Sequence, residues 1–249
     1  MLSLGVAAAV LLPATASADT GADAAAAAIC AAPVTDSAAA PAALVVGTTD
    51  VKWLTYTVWT DTACDVDLVD VAFFHSGEPV NEKSMRVAKA ERTDAAASGE
   101  EWTFNVAFDP ADLDNADAGT LTTTITATAT DGTSWSGAGK GFTMKRWPRV
   151  TNNATPEPVA KGKTITIAGK LSRANWDSYE YHGYTGQKVA LQFRTTTGSY
   201  ATVKTLTTPS GGALRTTVTA SRDGCFRFSF AGSSTTGPIN GAGDCVDVR

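Results

Sequence analysis

The chain has 249 residues, of which 43% are hydrophobic and 18% charged. That excludes a disordered polypeptide and leaves room for one large domain or two of about 100 residues, each with its own core. The formal net charge of −5 is unevenly spread: residues 1–150 hold 9 Lys and Arg against 19 Asp and Glu (−10), and residues 151–249 hold 11 against 6 (+5). Such asymmetry marks two units with different surfaces. It can help the halves dock, keep each soluble, or turn the basic half toward an anionic polymer of the cell wall.

Residues 1–18 read as a signal peptide. Leu2 to Leu12 is an apolar run too short to span a bilayer, and Ala16-Ser17-Ala18 fits the small-residue cleavage rule. The run lacks a basic stretch in front of it, which a start codon further upstream would supply. No other segment is long and apolar enough to cross a membrane, so no transmembrane segment is expected after cleavage. Residues 19–43 form an Ala-rich leader interrupted by Pro33 and Pro41, read as flexible or extended.

A first β-sandwich domain is expected over residues 44–147. Leu54, Tyr56 and Val58 share one face of a period-two strand, as do Trp102, Phe104, Val106 and Phe108. Leu121, Ile125, Ala127 and Ala129 alternate with a row of threonines. Between Leu68 and Val69 the apolar parity changes, which fits a β-bulge or a strand buried on both sides. Asp131-Gly132 signals a turn, and the glycine-rich run Gly137 to Gly141 reads as a flexible hairpin arm. Residues 148–160, with three prolines, read as a semi-rigid linker.

A second sandwich is expected over residues 161–249. Its strands carry Ile165, Ile167 and Leu171, then Val189, Leu191 and Phe193, then Leu214, Thr216 and Val218, then Phe226, Phe228 and Phe230 on inward faces. The last strand turns Val246 and Val248 inward and Cys245 outward, beside Cys225 on its neighbour. Four cysteines, Cys30, Cys64, Cys225 and Cys245, suggest two disulfides in an exported chain. Three connectivities exist. Cys30 with Cys64 and Cys225 with Cys245 is favoured, because each pair then lies in one half.

The segments TITIAGKL, GQKVALQF, YATVKTLTT-PSGG-ALRTTVTA, DGCFRFSFAG and GDCVDVR resemble immunoglobulin-like modules. Such modules are widespread in secreted proteins of high-GC Gram-positive bacteria, and the first half resembles the companion domain of the same secreted two-domain family. The resemblance implies tandem immunoglobulin-like β-sandwiches, an all-β fold. Members are sometimes labelled calcium-binding. Related modules tend to carry an aromatic where this chain has Cys225 and Cys245, which implies a covalent cross-strand link in place of aromatic packing.

Candidate chemistry is sparse. The two histidines, His75 and His182, fall in different halves, and no nucleophile elbow, HExxH, phosphate loop or GxGxxG is present. Two clusters remain. Asp109, Asp112, Asp114 and Asp117 crowd the loop FDPADLDNADAG, where they could ligate calcium or simply form a capped, solvated turn. Trp176, Tyr179, Tyr181 and Tyr184 crowd SRANWDSYEYHGYTGQ, where rings could stack on sugars or instead fold back to seal the end of the sandwich. The expected function is a secreted, non-enzymatic binding or structural protein of the envelope or extracellular space, partnered by cell-wall polysaccharide or an extracellular protein. Nucleic acid is excluded, because the three basic residues of MKRWPRV are too few. A calcium-binding structural protein is the alternative, and a hydrolase or inhibitor with an unrecognised site stands third.

Overall fold

The computed structural model of the chain describes residues 30–80, 85–87, 91–96 and 99–249. The expected signal peptide and the first part of the leader lie outside the described residues. Apart from short 3-10 turns, the regular structure among the described residues is β-strand.

The first domain contains β1 (Val34–Ala40), β2 (Ala43–Val46), β3 (Lys52–Thr60), β4 (Val66–His75), β5 (Glu78–Pro79), β6 (Met85–Val87), β7 (Glu91–Ala96), β8 (Gly99–Phe108), β9 (Gly119–Ala129) and β10 (Ser134–Arg146). One sheet runs β1-β3-β8, with β6 and β7 on the far side of β8, and the other runs β2-β10-β9-β4-β5. Period-two alternation decides which residues fill the space between them. Leu54, Tyr56 and Val58 point in from β3, and Leu121 and Ile125 from β9. Tyr56, Phe73 and Phe142 meet edge to face, with ring centroids 5.4 and 5.3 Å apart. The parity change in β4 is a bulge: register slips between Val66 and Leu68, so Val66 and Val69 are both buried while Leu68 is 50% exposed. The Asp131-Gly132 turn joins β9 to β10, and Gly132 adopts φ +85°.

Three boundary expectations are corrected. From Val34 onward the leader is β1, an edge strand of the first sandwich. Ser37 on β1 is buried, accepts a hydrogen bond from the Tyr56 hydroxyl at 3.2 Å and receives the Lys140 amide at 2.8 Å. A run of alanines carries no hydropathy alternation, so this strand left little pattern to read. The hairpin arm is part of β10, where a Cβ at Gly141 would fall 2.3 Å from the Leu121 carbonyl. Its glycines therefore allow close backbone approach rather than flexibility. The linker is a strand, β11 (Pro148–Thr155), and Trp147 alone separates it from β10. Pro148 stands at the first position of an edge strand, a place that tolerates a missing N–H.

The second domain continues with β12 (Thr164–Asn175), β13 (Glu180–Gly183), β14 (Lys188–Arg194), β15 (Ala201–Thr207), β16 (Ala213–Thr219), β17 (Gly224–Phe230), β18 (Ile239–Asn240) and β19 (Asp244–Val246). One sheet has β12 between β11 on one side and β13 and β16 on the other. The second runs β15-β14-β17, with β18 and β19 beyond β17. Ile165, Ile167, Leu171, Val189, Leu191 and Phe228 are fully buried between the sheets. Both domains are all-β, each with two sheets packed face to face as a sandwich. Cys225 and Cys245 are directly paired residues on β17 and β19 and form a disulfide. Closing a loop of this size stabilises by roughly 3 kcal/mol in the chain-entropy account.

Candidate functional site

The two clusters singled out in the sequence lie against each other, at the joint between the domains. The turn from β12 into β13 carries Trp176, and the loop between β8 and β9 carries the aspartates. Trp176 belongs to the second domain by chain but packs in the first domain's core cluster, with none of its surface exposed. Its indole Nε1 donates to the Gly47 carbonyl at 2.8 Å, and its amide donates to Asn115 Oδ1 at 3.0 Å. Burying an indole requires a partner for its N–H, and the chain turn after β2 supplies one.

Around the indole, polar groups interlock. Asn115 Nδ2 donates to Asn175 Oδ1 at 2.7 Å and to Asp177 Oδ2, and the Asn115 amide donates to Asp177 Oδ1 at 2.9 Å. The Tyr179 hydroxyl donates to the Ala111 carbonyl at 3.0 Å. On the other flank, Arg146 Nε donates to the Ala174 carbonyl at 2.5 Å, and the Arg146 amide donates to the Thr235 carbonyl at 3.0 Å. Arg146 is buried; desolvation, with Arg173 nearby, pulls its guanidinium down to about 10, so it remains charged at neutral pH. The Arg149 guanidinium lies 3.4 Å from the Tyr181 ring centre, and that of Arg173 lies 4.0 Å from the Tyr184 ring.

Two sequence expectations are thereby corrected. Trp176 cannot stack on a sugar, because the first domain covers it. Tyr181 and Tyr184 are half-buried under arginines, and of the four predicted aromatics only Tyr179 keeps an exposed ring, at 52%. The aspartates, in turn, do not converge on one point: no cluster of three or more His, Cys, Asp or Glu suited to a metal occurs among the described residues. Asp109 Oδ1 accepts the Ala111 amide and caps the 3-10 turn Pro110–Asp112, with Asp112 in its first turn. Asp114 Oδ1 accepts the Ala116 amide, while Asp117 Oδ2 accepts the Asp114 amide, a capping box around Asn115–Asp117. The carboxylates shape the loop so that Asn115 reaches the second domain. Asn175 and Asp177 were missed in the sequence, and Arg146, counted there only among the basic residues of MKRWPRV, is buried; the polar pair flanking Trp176 in Asn-Trp-Asp was the available signal of an anchored ring.

His182 stands near Ser178 and Glu180, yet the arrangement is not catalytic. Asn175 Oδ1 accepts from Asn115 and from the Asp177 amide, so its Nδ2 faces His182 Nδ1 at 3.2 Å. In a neutral ring that contact makes His182 Nδ1 the acceptor and leaves the proton on Nε2. Ser178 Oγ at 3.2 Å and Glu180 at 3.6 Å both address that same Nε2. A serine triad needs an unprotonated nitrogen facing the hydroxyl and the carboxylate on the opposite nitrogen.

At the far end of the first domain a cavity of about 480 Å³ is lined by Cys30, Cys64, Val66, Ala127 and Trp135 among others. Cys30 Sγ donates to the Ala63 carbonyl at 3.5 Å. Burial first, then the adjacent Cys30 thiol, pushes the Cys64 thiol up to about 12.

No described protein family matches the chain, and no curated protein matches it. Solved structures do resemble it. Fibronectin(III)-like modules of CbhA from Clostridium thermocellum are 11% identical, covering 83% of this chain and 87% of theirs, with a TM-score of 0.35. A marsupial T cell receptor is 12% identical over 86% of this chain and 72% of its own, with a TM-score of 0.41. The D0-D1 domain of intimin is 14% identical over 86% and 98%, with a TM-score of 0.29.

Two outcomes follow from the joint. Trp176→Ala empties a fully buried indole site and is expected to cost roughly 3–5 kcal/mol, read as a lower midpoint in urea denaturation of the first domain. Asp117 has its carboxyl raised above the ordinary 3.8 by burial, which outweighs the Asp114 amide. A carboxyl raised in the folded state binds more protons there than in the unfolded chain. Stability should therefore fall as pH rises from about 3.8 through the raised value, and the penalty is fully present above it. Asp117→Asn keeps an acceptor for the Asp114 amide and should flatten that slope; a stability–pH curve unchanged by the substitution would contradict the assignment.

Proposed function

We propose that this chain is an exported, non-catalytic module of two immunoglobulin-like domains that presents a binding surface to the envelope or extracellular space in a fixed orientation. The observation that carries the reading is Trp176 seated in the core of the neighbouring domain, with one residue, Trp147, between the last strand of one domain and the first of the next. Independent domains on a flexible linker expose their interfaces. These two share a core residue and a polar network, so whatever binds one domain meets it at a set angle to the other. The disulfide between Cys225 and Cys245 fits an oxidising compartment, as does the resemblance of the second half to secreted immunoglobulin-like modules. Cell-wall polysaccharide or an extracellular protein is the partner class. A hydrolase finds no support in the tautomer of His182, and calcium finds none in the diverging carboxylates.

Oxidation of the second cysteine pair belongs to the same reading. Cys30, the more exposed thiol, attacks an external disulfide such as oxidised glutathione. Cys64 then displaces the second glutathione, so two thiols become one disulfide and two glutathione thiols are released. The bridge would tie the start of β1 to the turn before β4.

Nuclear relaxation of amides tests the fixed joint: one rotational correlation time should describe both domains, and Trp176→Ala should split it into two shorter ones. Two correlation times in the unaltered chain would refute the reading. Protein recovered from culture medium should show no titratable thiol under denaturing conditions; two thiols per chain would mean that Cys30 and Cys64 remain reduced after export.

A further inference from the structure

The end of the second domain away from the joint carries a cationic face that nothing in the joint uses. Arg194, at the end of β14, and Arg227, on β17, point outward from the same sheet, and the Tyr200 ring lies under both. The guanidinium carbons are 5.1 and 3.9 Å from its centre. Arg227 Nε donates to Gln192 Oε1 at 2.8 Å, which fixes its plane. Arg194 Nε is buried and has no hydrogen-bond partner. A buried donor without an acceptor is costly and rare in native structures.

Neither guanidinium has a carboxylate within ion-pair distance among the described residues. The acidic groups of the neighbouring strands are engaged elsewhere. Asp223 Oδ1 accepts the Val248 amide, Asp244 Oδ2 accepts the Ala154 amide, and Asp247 pairs with Arg249. Arg222, over the Phe193 ring at 5.7 Å, adds a third cation at this end. The positive balance of residues 151–249 is thus not consumed in docking the halves: at the joint, Asp177 of the second domain faces the acidic loop of the first.

We propose that Arg194, Arg227 and Tyr200 form a binding site for a carboxylated polysaccharide, a polyuronate-like chain. This rests on the extracellular reading above for the choice of polymer. With Arg194 Nε buried and Arg227 Nε bonded to Gln192, the outer Nη groups of the planar guanidinium are the ones that match a carboxylate with two parallel hydrogen bonds, and partial burial against Tyr200 strengthens the pairing relative to water. Along the same face Ser229, bonded to Asn240 at 2.7 Å, supplies neutral polar groups suited to sugar hydroxyls. The strand backbones are already bonded to β15, β17, β18 and β19 on either side. A ligand on this face is therefore held by side chains and cannot add as a strand, which favours a glycan over an extended acidic peptide. The covalent link of Cys225 to Cys245 lies directly beside Arg194, whose cross-strand neighbour is Cys225, and stiffens the floor of the site.

The test is retention of the full chain on immobilised polygalacturonate, with dextran, dextran sulfate and poly-glutamate as comparison matrices, at increasing salt. Polygalacturonate should retain the chain, more than dextran sulfate and poly-glutamate do, with dextran giving none, and salt should weaken the binding. Arg194→Gln, which breaks no hydrogen bond, and the double variant with Arg227→Gln should weaken affinity at least tenfold, with an unchanged melting temperature for the single variant. Arg194→Lys keeps the charge and should restore only part of it. Equal retention of Arg194→Gln and the unaltered chain would overturn the proposal, as would stronger retention on poly-glutamate, equal retention on neutral dextran, or elution as salt-sensitive oligomers without polymer binding. One correlation time together with failed retention would remove the ligand and leave the fixed two-domain module standing.

Discussion

The indole of Trp176 belongs to one domain by sequence and to the other by packing, and the arrangement of the molecule depends on that exchange. Two sandwiches of this size can each bury a core without the other. A side chain as large as tryptophan, withdrawn entirely from water in the partner's core, converts adjacency into a joint. Its N–H must then be satisfied at a depth where water does not reach, and the Gly47 carbonyl does so. The requirement propagates. Gly47 follows β2, the strand that pairs in parallel with the end of β10, and β10 leads through Trp147 directly into the second domain.

The polar groups around the indole make the joint specific rather than merely adhesive. Asn115 contacts Asn175, Trp176 and Asp177, and it can do so because Asp109 and Asp114 cap two turns of the loop, the second of which begins at Asn115. Carboxylates that looked like a ligand shell are acceptors for backbone amides of their own loop. One oxygen of Asp109, of Asp114 and of Asp117 is taken up in this way by the turns that position Asn115. On the opposite flank a buried Arg146 binds the Ala174 carbonyl. Its charge, retained at neutral pH although burial lowers the pKa to about 10, would be left without that acceptor if the domains parted into a less polar contact, so the arginine penalises misdocking as much as it stabilises docking.

The legibility of the chain follows from the kind of signal each part leaves. Strands with one buried face, such as those of Tyr56, Phe104, Ile125, Ile167 and Phe228, declare themselves by alternation, and the cysteines of β17 and β19 could be paired because both fall in the second half, on neighbouring strands. β1 could not be read, because alanines at successive positions do not distinguish faces. β11 was hidden by its flanking prolines, which mark the ends of an edge strand as readily as they mark a linker. The aromatic loop was legible as important but not as to its role. A cluster of rings looks the same in sequence whether it faces a sugar or another domain; only the polar partners at Asn175 and Asp177 argue for the second, and those partners lie some 60 residues from Asn115.

Charge is the property for which the joint supplies the missing context. Opposite net charges in two halves suggest mutual attraction, but the contact between these domains brings Asp177 up to an acidic loop and turns Arg146, Arg149 and Arg173 toward carbonyls and rings. No salt bridge among the described residues crosses the joint, and Asp177 acts on Arg146 without forming an ion pair with it. The cations at the far end of the second domain are left with an aromatic ring and an amide as neighbours, an environment that desolvates a guanidinium without neutralising it. The carboxylated ligand proposed for this surface would supply the counter-charge it lacks. That surface lies at the opposite end of its domain from the contact, where the first domain neither screens nor competes for it.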